Sequence, residues 1–330
     1  MQCIDLHSHV IPPRVVETIH AQPEIYKTRI EGEGRKRKFA RGTQGFELSP
    51  ELYDVDAKIE SMNRKGIDIS VISPVPGVFF YGLDAENAMQ ISRLTNEGVA
   101  RMVAAHPKRL RGMATLPMQH PDAALAELER VVKEYDFKAV ELGTAIGEEE
   151  LADAKFRAVL RRIEELEVVI FAHPNTMGSA GRLGCYHLVN LIGNPLDTTI
   201  MVAKLMFSGA LDELKEIKIL LAHGGGFLPY QIGRFEHGHT VRLDTSAVTK
   251  SKPFDMFKRF YFDALTHSPQ AVRYLIDTVG SARVVIGTDS PFDMGEEHPL
   301  ERLAAVPGLS ESEREDICYR SALRLFGGSI

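Results

Sequence analysis

Short apolar runs alternate with longer stretches of helical period along most of this chain. Residues 85–103 and 121–135 carry apolar side chains at three- and four-residue intervals, which predicts amphipathic helices. The apolar runs are short and rich in β-branched residues, as buried strands are. Eight can be counted, at residues 3–9 (CIDLHSH), 69–74 (ISVISP), 110–117 (LRGMATLP), 139–144 (AVELGT), 168–174 (VVIFAHP), 217–225 (IKILLAHGG), 260–265 (FYFDAL) and 284–291 (VVIGTDSP).

Eight strand–helix units in a chain of this length predict an α/β fold, a (β/α)8 TIM barrel formed by residues 1–330 as a single domain. The alternative is an open doubly wound sheet. Such a sheet is typically marked by a glycine-rich phosphate-binding turn after its first strand, and the segment HSHVIPP at residues 7–13 is nothing like one. The pattern therefore favours the barrel.

Two connections are longer than a barrel needs. The first strand is followed by a long loop insertion at about residues 10–50, and residues 175–198, rich in Gly, Asn and Met, form a second long loop just past His173. Long connections in compact domains are usually either functional or disordered. Both would lie over the face where the strands end.

Histidine and aspartate side chains stand at the ends of three of these strands. His7 and His9 end the first strand, His173 ends the fifth and Asp289 the eighth. Residues i and i+2 share a face of a strand, and the carboxyl ends of barrel strands converge on one mouth. Imidazole and carboxylate are ligands of borderline divalent ions. We therefore expect one divalent ion, Zn²⁺ in the first place with Mn²⁺ or Co²⁺ as alternatives, and no organic cofactor.

Two further polar residues follow apolar strands. His223 ends the sixth strand and precedes three glycines. It is either another ligand or a general acid or base beside the metal, and we favour the catalytic role because an imidazole pKa can be set near working pH. Asp263, at the tip of the seventh strand, either orients a ligand histidine or packs within the barrel. Asp5 lies one step deeper than His7.

Composition narrows the range of partners. The chain has 330 residues, a formal charge of −6 and a pI near 6.1, so it offers no basic surface for nucleic acid or an acidic membrane. The three cysteines show no CxxC spacing, which suggests a reducing cytosol. Neither an apolar stretch of membrane-spanning length nor a leader pattern is present. We expect a soluble, cytoplasmic protein that acts on a small molecule.

The motifs together resemble the amidohydrolase superfamily, in its amidohydrolase 2 branch. More narrowly, they look like the metal-dependent, non-oxidative decarboxylases typified by aminocarboxymuconate-semialdehyde decarboxylase. The likeness runs from about residue 1 to residue 325 and rests on motifs in a fixed order. They are DLHSH (5–9), LRGMATLPMQ (110–119), FAHP (171–174), LLAHGGG (220–226), IGRFEHG (232–238) and GTDSPF (287–292).

This resemblance implies a role for particular residues. A single Zn²⁺ would be bound by His7, His9, His173 and Asp289, with His223 as the essential acid–base group beside it. The substrate would pack against Phe292. Its carboxylate would be reached by Arg234 from the neighbouring subunit of a homodimer and by a second arginine in the segment 35–41, for which we choose Arg41.

Two departures from the family pattern affect the substrate. Asn175 and His187 stand at positions where aminocarboxymuconate-semialdehyde decarboxylase, the enzyme that typifies the group, has tryptophans. This chain contains no tryptophan at all. The pocket is expected to be more polar, so a related carboxylated substrate is predicted rather than the namesake's own.

Three functions remain to be compared. The leading one is a lyase that releases CO₂ from an unsaturated or aromatic carboxylic acid. The rival is a hydrolase of a lactone or amide on the same fold, with Asp289 as the base. A binding protein on an inactive barrel is opposed by the complete ligand set.

Overall fold

A computed structural model describes residues 2–42, 44–175, 180–328 and 330 of the chain. Within them the strands, in chain order, are β1 (Ile4–Val10), β2 (Arg29–Glu31), β3 (Lys38–Arg41), β4 (Gln44–Glu47), β5 (Ile69–Pro74), β6 (Leu110–Ala114), β7 (Ala139–Gly143), β8 (Ala145–Ile146), β9 (Glu149–Glu150), β10 (Val169–His173), β11 (Lys218–Leu221), β12 (Tyr261–Asp263) and β13 (Val284–Val285).

The predicted (β/α)8 barrel is confirmed. Eight strands pair in parallel in the order β1-β5-β6-β7-β10-β11-β12-β13. Parallel bridges from Asp5 to Ile286 and from Ser8 to Ser290 join the last strand to the first. Backbone hydrogen bonds from Leu6 N to the Ile286 carbonyl, 3.0 Å, and from His9 N to the Ser290 carbonyl, 2.8 Å, complete this closure.

The core has two layers because side chains alternate across each strand. Inward-facing apolar side chains such as Val71, Met113 and Phe171 fill the barrel, and the outward-facing set packs against the surrounding helices. The barrel interior is therefore solid below its mouth, as expected for this fold. Polar chemistry is confined to the ends of the strands.

Helices cover the outside of the barrel. Those at Ala85–Ala105 and Pro121–Tyr135 match the two predicted from apolar spacing, and the first begins after Asp84, whose side chain accepts a hydrogen bond from Asn87 N. In chain order the helices are α1 (Pro13–Ala21), α2 (Pro23–Tyr26), α3 (Pro50–Tyr53), α4 (Val55–Lys65), α5 (Ala85–Ala105), α6 (Pro121–Tyr135), α7 (Arg157–Glu165), α8 (Ala180–Leu183), α9 (Asn194–Phe207), α10 (Ala210–Glu213), α11 (Leu228–Val241), α12 (Leu243–Ser246), α13 (Pro253–Phe257), α14 (Pro269–Val279), α15 (Pro299–Ala304), α16 (Glu311–Glu315) and α17 (Ser321–Leu325).

The segment after β1 is folded rather than irregular. It holds α1, α2, a three-stranded antiparallel sheet of β2, β3 and β4, and α3. Its buried side chains form a separate cluster, in which the rings of Phe39 and Phe46 stack with centroids 4.9 Å apart. Of the second predicted loop, residues 176–179 lie outside the described residues. The remainder contains α8, a helical turn at Val189–Gly193 and the start of α9.

None of the helices in the described part of the chain is long and apolar enough to cross a membrane.

Candidate active site

Three imidazoles and one carboxylate converge at the carboxyl ends of the barrel strands. His7 and His9 extend from β1, His173 from the end of β10, and Asp289 from the segment after β13. One potential ligand atom of each lies within 4.8 Å of those of the other three. All four residues are buried. Strand ends that are far apart in the chain therefore place four metal-binding side chains around one point.

The outer nitrogen of each of the three rings has an oxygen acceptor. Nδ1 of His7 lies 2.7 Å from Oδ2 of Asp263, Nδ1 of His9 lies 3.3 Å from the Pro74 carbonyl, and Nδ1 of His173 lies 2.9 Å from the Pro174 carbonyl. A carbonyl oxygen only accepts, so in His9 and His173 the proton of a neutral ring belongs on Nδ1. The Nε2 atoms then present lone pairs to the common centre, as metal-binding histidines do.

The common centre is suited to a cation. Nε2 of His7 and Nε2 of His9 are 3.1 Å apart, and each lies about as close to Oδ1 of Asp289, at 3.2 and 3.1 Å. Nε2 of His173 has no hydrogen-bond partner among the described residues. Electron pairs brought this close repel one another unless a proton or a metal ion lies between them. The donor set, three nitrogens and one carboxylate oxygen, fits a divalent ion of the zinc type.

Charge and burial act in opposite directions on these groups. Burial alone would lower the pKa of His7, but the charge of Asp289 and the hydrogen bond to Asp263 raise it to about 10. Burial lowers the pKa of His9 to about 4 and that of His173 well below its usual value. Burial opposes ionisation of Asp289, yet the neighbouring His7 charge holds the pKa of that carboxyl well below its usual range. The site thus holds a negative charge beside two neutral rings.

Asp289 is positioned by hydrogen bonds across the closure of the barrel. Its backbone N–H and that of Thr288 both donate to the His7 carbonyl, at 2.8 and 3.1 Å. The Thr288 hydroxyl donates to Oδ2 of Asp5 at 2.7 Å. Asp5 therefore fixes the backbone turn that carries Asp289 and lies too deep to face the common centre. Asp289 itself has φ of +54°, an uncommon conformation for a residue with a side chain.

His223 lies beside the four convergent side chains. Its Nε2 is 3.5 Å from Oδ2 of Asp289, and its ring centroid is 5.2 Å from that of His173. The turn after it needs glycine, because all three following residues have positive φ. A Cβ on Gly226 would lie 2.2 Å from the Pro195 carbonyl oxygen. This turn brings the imidazole to the edge of the site, where 17% of its side chain is exposed.

A cavity of about 570 Å³ opens directly onto His223 and Asp289. Its wall is mainly apolar and comes from the segment before α9 and from the starts of α11 and α14. The principal residues are Leu191, Phe227, Tyr230, Tyr274 and Met294. The space is large enough for a substituted ring or a short unsaturated chain, since small-molecule sites usually have volumes of a few hundred Å³.

The predicted substrate-binding residues lie outside the lining of this cavity. Phe292 lies beside the ligand set, with its ring centroid 5.4 Å from that of His9. Arg41 lies over the ring of Phe80 and donates to the Gly77 carbonyl at 2.7 Å, and burial lowers its pKa to about 10. Asn175 turns back towards Gly143 and Ala145 at the end of β7.

Two others point into solvent. Arg234 is exposed on α11, and His187 is exposed in the segment between α8 and α9 with φ of +57°. Within one chain, therefore, the structure brings together the four predicted ligands, His223 and Phe292. It does not bring Arg234 or His187 to them.

Two buried ionisable residues next to the proposed ligands were not predicted from the sequence. Lys58 on α4 donates to the His9 carbonyl at 2.9 Å and to Oγ of Ser8 at 3.1 Å. Glu141 on β7 has Oε1 3.8 Å from Nδ1 of His9, and burial raises its pKa well above the usual range. The position of Glu141 within the otherwise apolar run AVELG could have indicated that this carboxyl group is buried. Nothing in the polar surroundings of Lys58 in the sequence marked it as buried.

Comparisons with known proteins agree with this geometry. An amidohydrolase family model matches residues 4–328. A 2-amino-3-carboxymuconate-6-semialdehyde decarboxylase of Dictyostelium discoideum is 31% identical, over 98% of this chain and 91% of its own length. A gamma-resorcylate decarboxylase of a Polaromonas species is 29% identical, over 85% of this chain and 90% of its own.

The fold is shared with a solved decarboxylase. The crystal structure of a dihydroxybenzoic acid decarboxylase from Polaromonas, with bound manganese and the inhibitor 2-nitroresorcinol, superimposes with a TM-score of 0.80 at 24% identity. The match covers 99% of this chain and 97% of that one. With a family model spanning nearly all of its residues and a full-length relative above 30% identity, this chain belongs to the amidohydrolase family.

Proposed function

We propose that this chain is a metal-dependent, non-oxidative carboxy-lyase that releases CO₂ from an unsaturated or aromatic carboxylic acid. The observation that carries the proposal is the arrangement at the strand ends, where three Nε2 atoms and one carboxylate oxygen share a centre beside His223. The similar relatives are decarboxylases of muconate semialdehyde and resorcylate type. They do not favour the rival lactone or amide hydrolase.

The metal ligands in this proposal are His7, His9, His173 and Asp289, and the ion is Zn²⁺ in the first place. Mn²⁺ and Co²⁺ accept the same nitrogen and oxygen ligands, and the solved Polaromonas relative holds manganese. When bound, the divalent ion supplies Lewis-acid stabilisation of negative charge on a substrate oxygen.

His223 is the acid–base residue. Its Nε2 faces Asp289 and its side chain lines the cavity, so a substrate in the cavity lies within its reach. A protonated His223 gives its proton to the carbon that bears the carboxylate. The C–C bond to the carboxylate then breaks, CO₂ leaves, and the electron pair of that bond remains on the ring or chain. Asp289, whose Oδ2 lies 3.5 Å from Nε2 of His223, keeps the imidazole oriented.

The substrate is a small carboxylic acid with an apolar ring or diene. The wall formed by Phe227, Tyr230, Tyr274 and Met294 suits a flat apolar body, whereas His223 and Asp289 supply polar groups at one end. Among the described residues that line the cavity there is no lysine or arginine. A carboxylate-binding arginine therefore has to come from elsewhere.

The decisive test is CO₂ release by chelator-treated protein reconstituted with Zn²⁺, Mn²⁺ or Co²⁺. Carboxylated catechols, salicylates and muconate semialdehydes form the substrate panel. We expect CO₂ only after metal is restored. Hydrolysis of a lactone or amide without CO₂ from any panel member would contradict the proposal.

We further propose a homodimer in which Arg234 of each chain reaches the partner's cavity. Arg234 is exposed on α11, and the same helix carries Tyr230, which is 81% exposed at the rim of the cavity. An isologous pairing of this surface would cover the apolar rim and bring in the missing charge.

Mixing two inactive variants tests this dimer. H223N and R234A subunits together form mixed dimers in which one site has His223 from one chain and Arg234 from the other. Random mixing should restore about a quarter of wild-type activity. A mixture that stays inactive after exchange of subunits, or a monomer by sedimentation, would refute the pairing.

A cytoplasmic location is also inferred, because Cys3, Cys185 and Cys318 are all free thiols.

A further inference from the structure

One buried carboxylate bonds to both halves of the proposed site. Asp263, at the end of β12, is fully buried. Its Oδ2 lies 2.7 Å from Nδ1 of His7 and accepts from the His223 backbone N–H at 2.9 Å. Its Oδ1 accepts from Gly224 N at 2.8 Å and from Leu265 N at 3.2 Å. A single side chain thus contacts a proposed metal ligand and the backbone of the proposed acid–base residue.

The contact with His7 fixes which nitrogen of the ring is available to a metal. A carboxylate accepts hydrogen bonds and has no proton to give, so Nδ1 of His7 must be the donor. The lone pair for the metal is then on Nε2, the atom that faces His9 and Asp289. An amide at position 263 would remove this selection, because its NH₂ group can donate to Nδ1 and move the ring proton to Nε2.

The contacts with residues 223 and 224 hold a strained turn. His223 has φ of +55°, a conformation unfavourable for a residue with a side chain, and three glycines with positive φ follow it. Two consecutive N–H groups of this turn point into the Asp263 carboxylate. Charge-assisted hydrogen bonds of this kind offset backbone strain. The direction of the His223 imidazole therefore depends on Asp263.

We infer that Asp263 is a positioning residue that couples the metal ligand His7 to the acid–base residue His223. This inference rests on the proposed function, since it concerns the same site. It assigns one carboxylate two separable effects. Loss of the carboxylate lowers metal affinity through His7, and it lowers turnover at saturating metal through His223.

The test is Asp263→Asn, which keeps the size of the side chain. We expect the dissociation constant for Zn²⁺ or Co²⁺, measured by competition with a coloured chelator, to rise roughly 10- to 100-fold. At saturating metal we expect kcat to stay about 10²-fold below wild type, because a displaced catalytic group costs about that much. The visible spectrum of the Co²⁺ form should also change. Wild-type metal affinity in the variant, or full kcat once metal is saturating, overturns the coupling.

Asp316→Asn is the matched control. Asp316 is a buried carboxylate that bonds to Ser281 and Arg324 and touches no proposed site residue. It should lose stability without a change in metal affinity. If Asp263→Asn does not fold, a crystal structure of the metal-loaded wild type decides. Coordination through Nδ1 of His7, or departure of the 223–224 turn from Asp263, overturns the inference. A wild-type chain that binds no divalent ion instead refutes the proposed function.

Discussion

The histidines of the site differ in whether the Nδ1 atom of the ring has a hydrogen-bond partner. In His7, His9 and His173 the Nδ1 atom lies against an oxygen acceptor, so Nε2 is free for a metal. In His223, Nδ1 is buried and has no partner among the described residues, while Nε2 faces Asp289 and the cavity. An imidazole without a fixed proton can exchange one with substrate. These different surroundings are the basis for proposing three of the histidines as ligands and His223 as the acid.

Replacing His223 with asparagine tests this division of roles. We expect His223→Asn to keep its metal, because the four ligands are untouched, and to lose roughly 10²- to 10⁴-fold in kcat with the proton relay. Metal content by atomic emission and CO₂ release measure the two effects separately. Full activity in a metal-loaded variant would remove His223 from the mechanism.

Sequence could predict that these four side chains converge, because each one ends an apolar strand and the strand ends of a barrel lie together. It could not decide between orienting and packing roles for Asp263, since the answer depends on Nδ1 of His7, which comes from the opposite end of the chain. Arg234 shows the limit of a family match within one chain. Its side chain is exposed on α11, so its proposed role requires a second copy of the chain.

At the level of elements, helix α4 holds the mouth of the barrel closed. Lys58 extends from α4 to the ends of two strands, where its Nζ donates to the His9 carbonyl and, at 3.4 Å, to the Ser290 carbonyl. The first carbonyl belongs to His9, a proposed metal ligand on one side of the barrel closure. The second belongs to Ser290, which directly follows the proposed ligand Asp289 on the other side. A helix outside the barrel therefore supports the spacing between His9 and Asp289.

We expect Lys58→Met to weaken both the fold and the metal site. The substitution fills a similar volume but removes the Nζ donor from the His9 carbonyl and from the Ser8 hydroxyl, at a cost of about 1–3 kcal/mol in the free energy of unfolding. Urea denaturation and metal titration measure the two effects. Lys65→Met is the control, because Lys65 is also a buried lysine of α4 but bonds to Ser61 and Glu297 instead. Equal metal affinities for the two variants would contradict this role of Lys58.

Helix α16 gives a pH-dependent prediction away from the site. Hydrogen bonds from Arg273 and from Ser310, the cap of α16, lower the pKa of Glu313 to about 2. A carboxyl group with a lowered folded-state pKa stabilises above its unfolded value near 4.3 and loses this contribution as pH falls towards 2. We expect Glu313→Gln to cost about 1 kcal/mol at pH 7, a small value because the pair is partly solvated. The difference from wild type in urea unfolding should shrink below about pH 4. A constant difference would contradict the assignment.

Helices and strands could be predicted from the sequence where the apolar spacing and the residues that begin or end an element indicate the same boundaries. The helix at Pro121–Tyr135 begins and ends at the predicted residues, because its starting proline and apolar spacing give the same boundaries. The continuous ladder of the eighth strand is much shorter than the apolar run suggests, because it covers only Val284–Val285. Beyond it the segment pairs with the first strand only at Ile286 and Ser290, and Asp289 lies between these two isolated bridges. The segment that forms the antiparallel sheet β2–β4 was predicted only as a loop. Its apolar side chains pack into a separate small cluster and not into the barrel, so the pattern of barrel strands does not extend to it.

On the scale of the whole molecule, the barrel brings the two ends of the chain into contact. Asp5 and Ser8 of the first strand pair with Ile286 and Ser290 of the last. Of the proposed metal ligands, His7 and His9 lie on one side of this junction and Asp289 on the other, so a bound ion would join the first and last strands. Binding of metal to the folded state alone should then stabilise the entire domain.

Metal removal should therefore lower the thermal stability of the protein. At a free metal concentration about 100 times the dissociation constant, binding contributes about 2.7 kcal/mol, which corresponds to roughly 5 °C in Tm for a chain of this size. Differential scanning calorimetry with and without chelator measures the shift. His9→Asn should show little shift, because it lacks one ligand. An equal shift in the variant would place the stabilising metal elsewhere.

The junction between β1 and the segment after β13 also sets the order in which the site can form during synthesis. His7 and His9 are synthesised with the first barrel strand, whereas Asp289 emerges only after all eight barrel strands. A nascent chain can therefore offer no complete set of the four proposed ligands until every barrel strand has been synthesised. We expect metal binding at the proposed site to follow barrel closure, and a chain truncated before residue 289 should lack a complete centre.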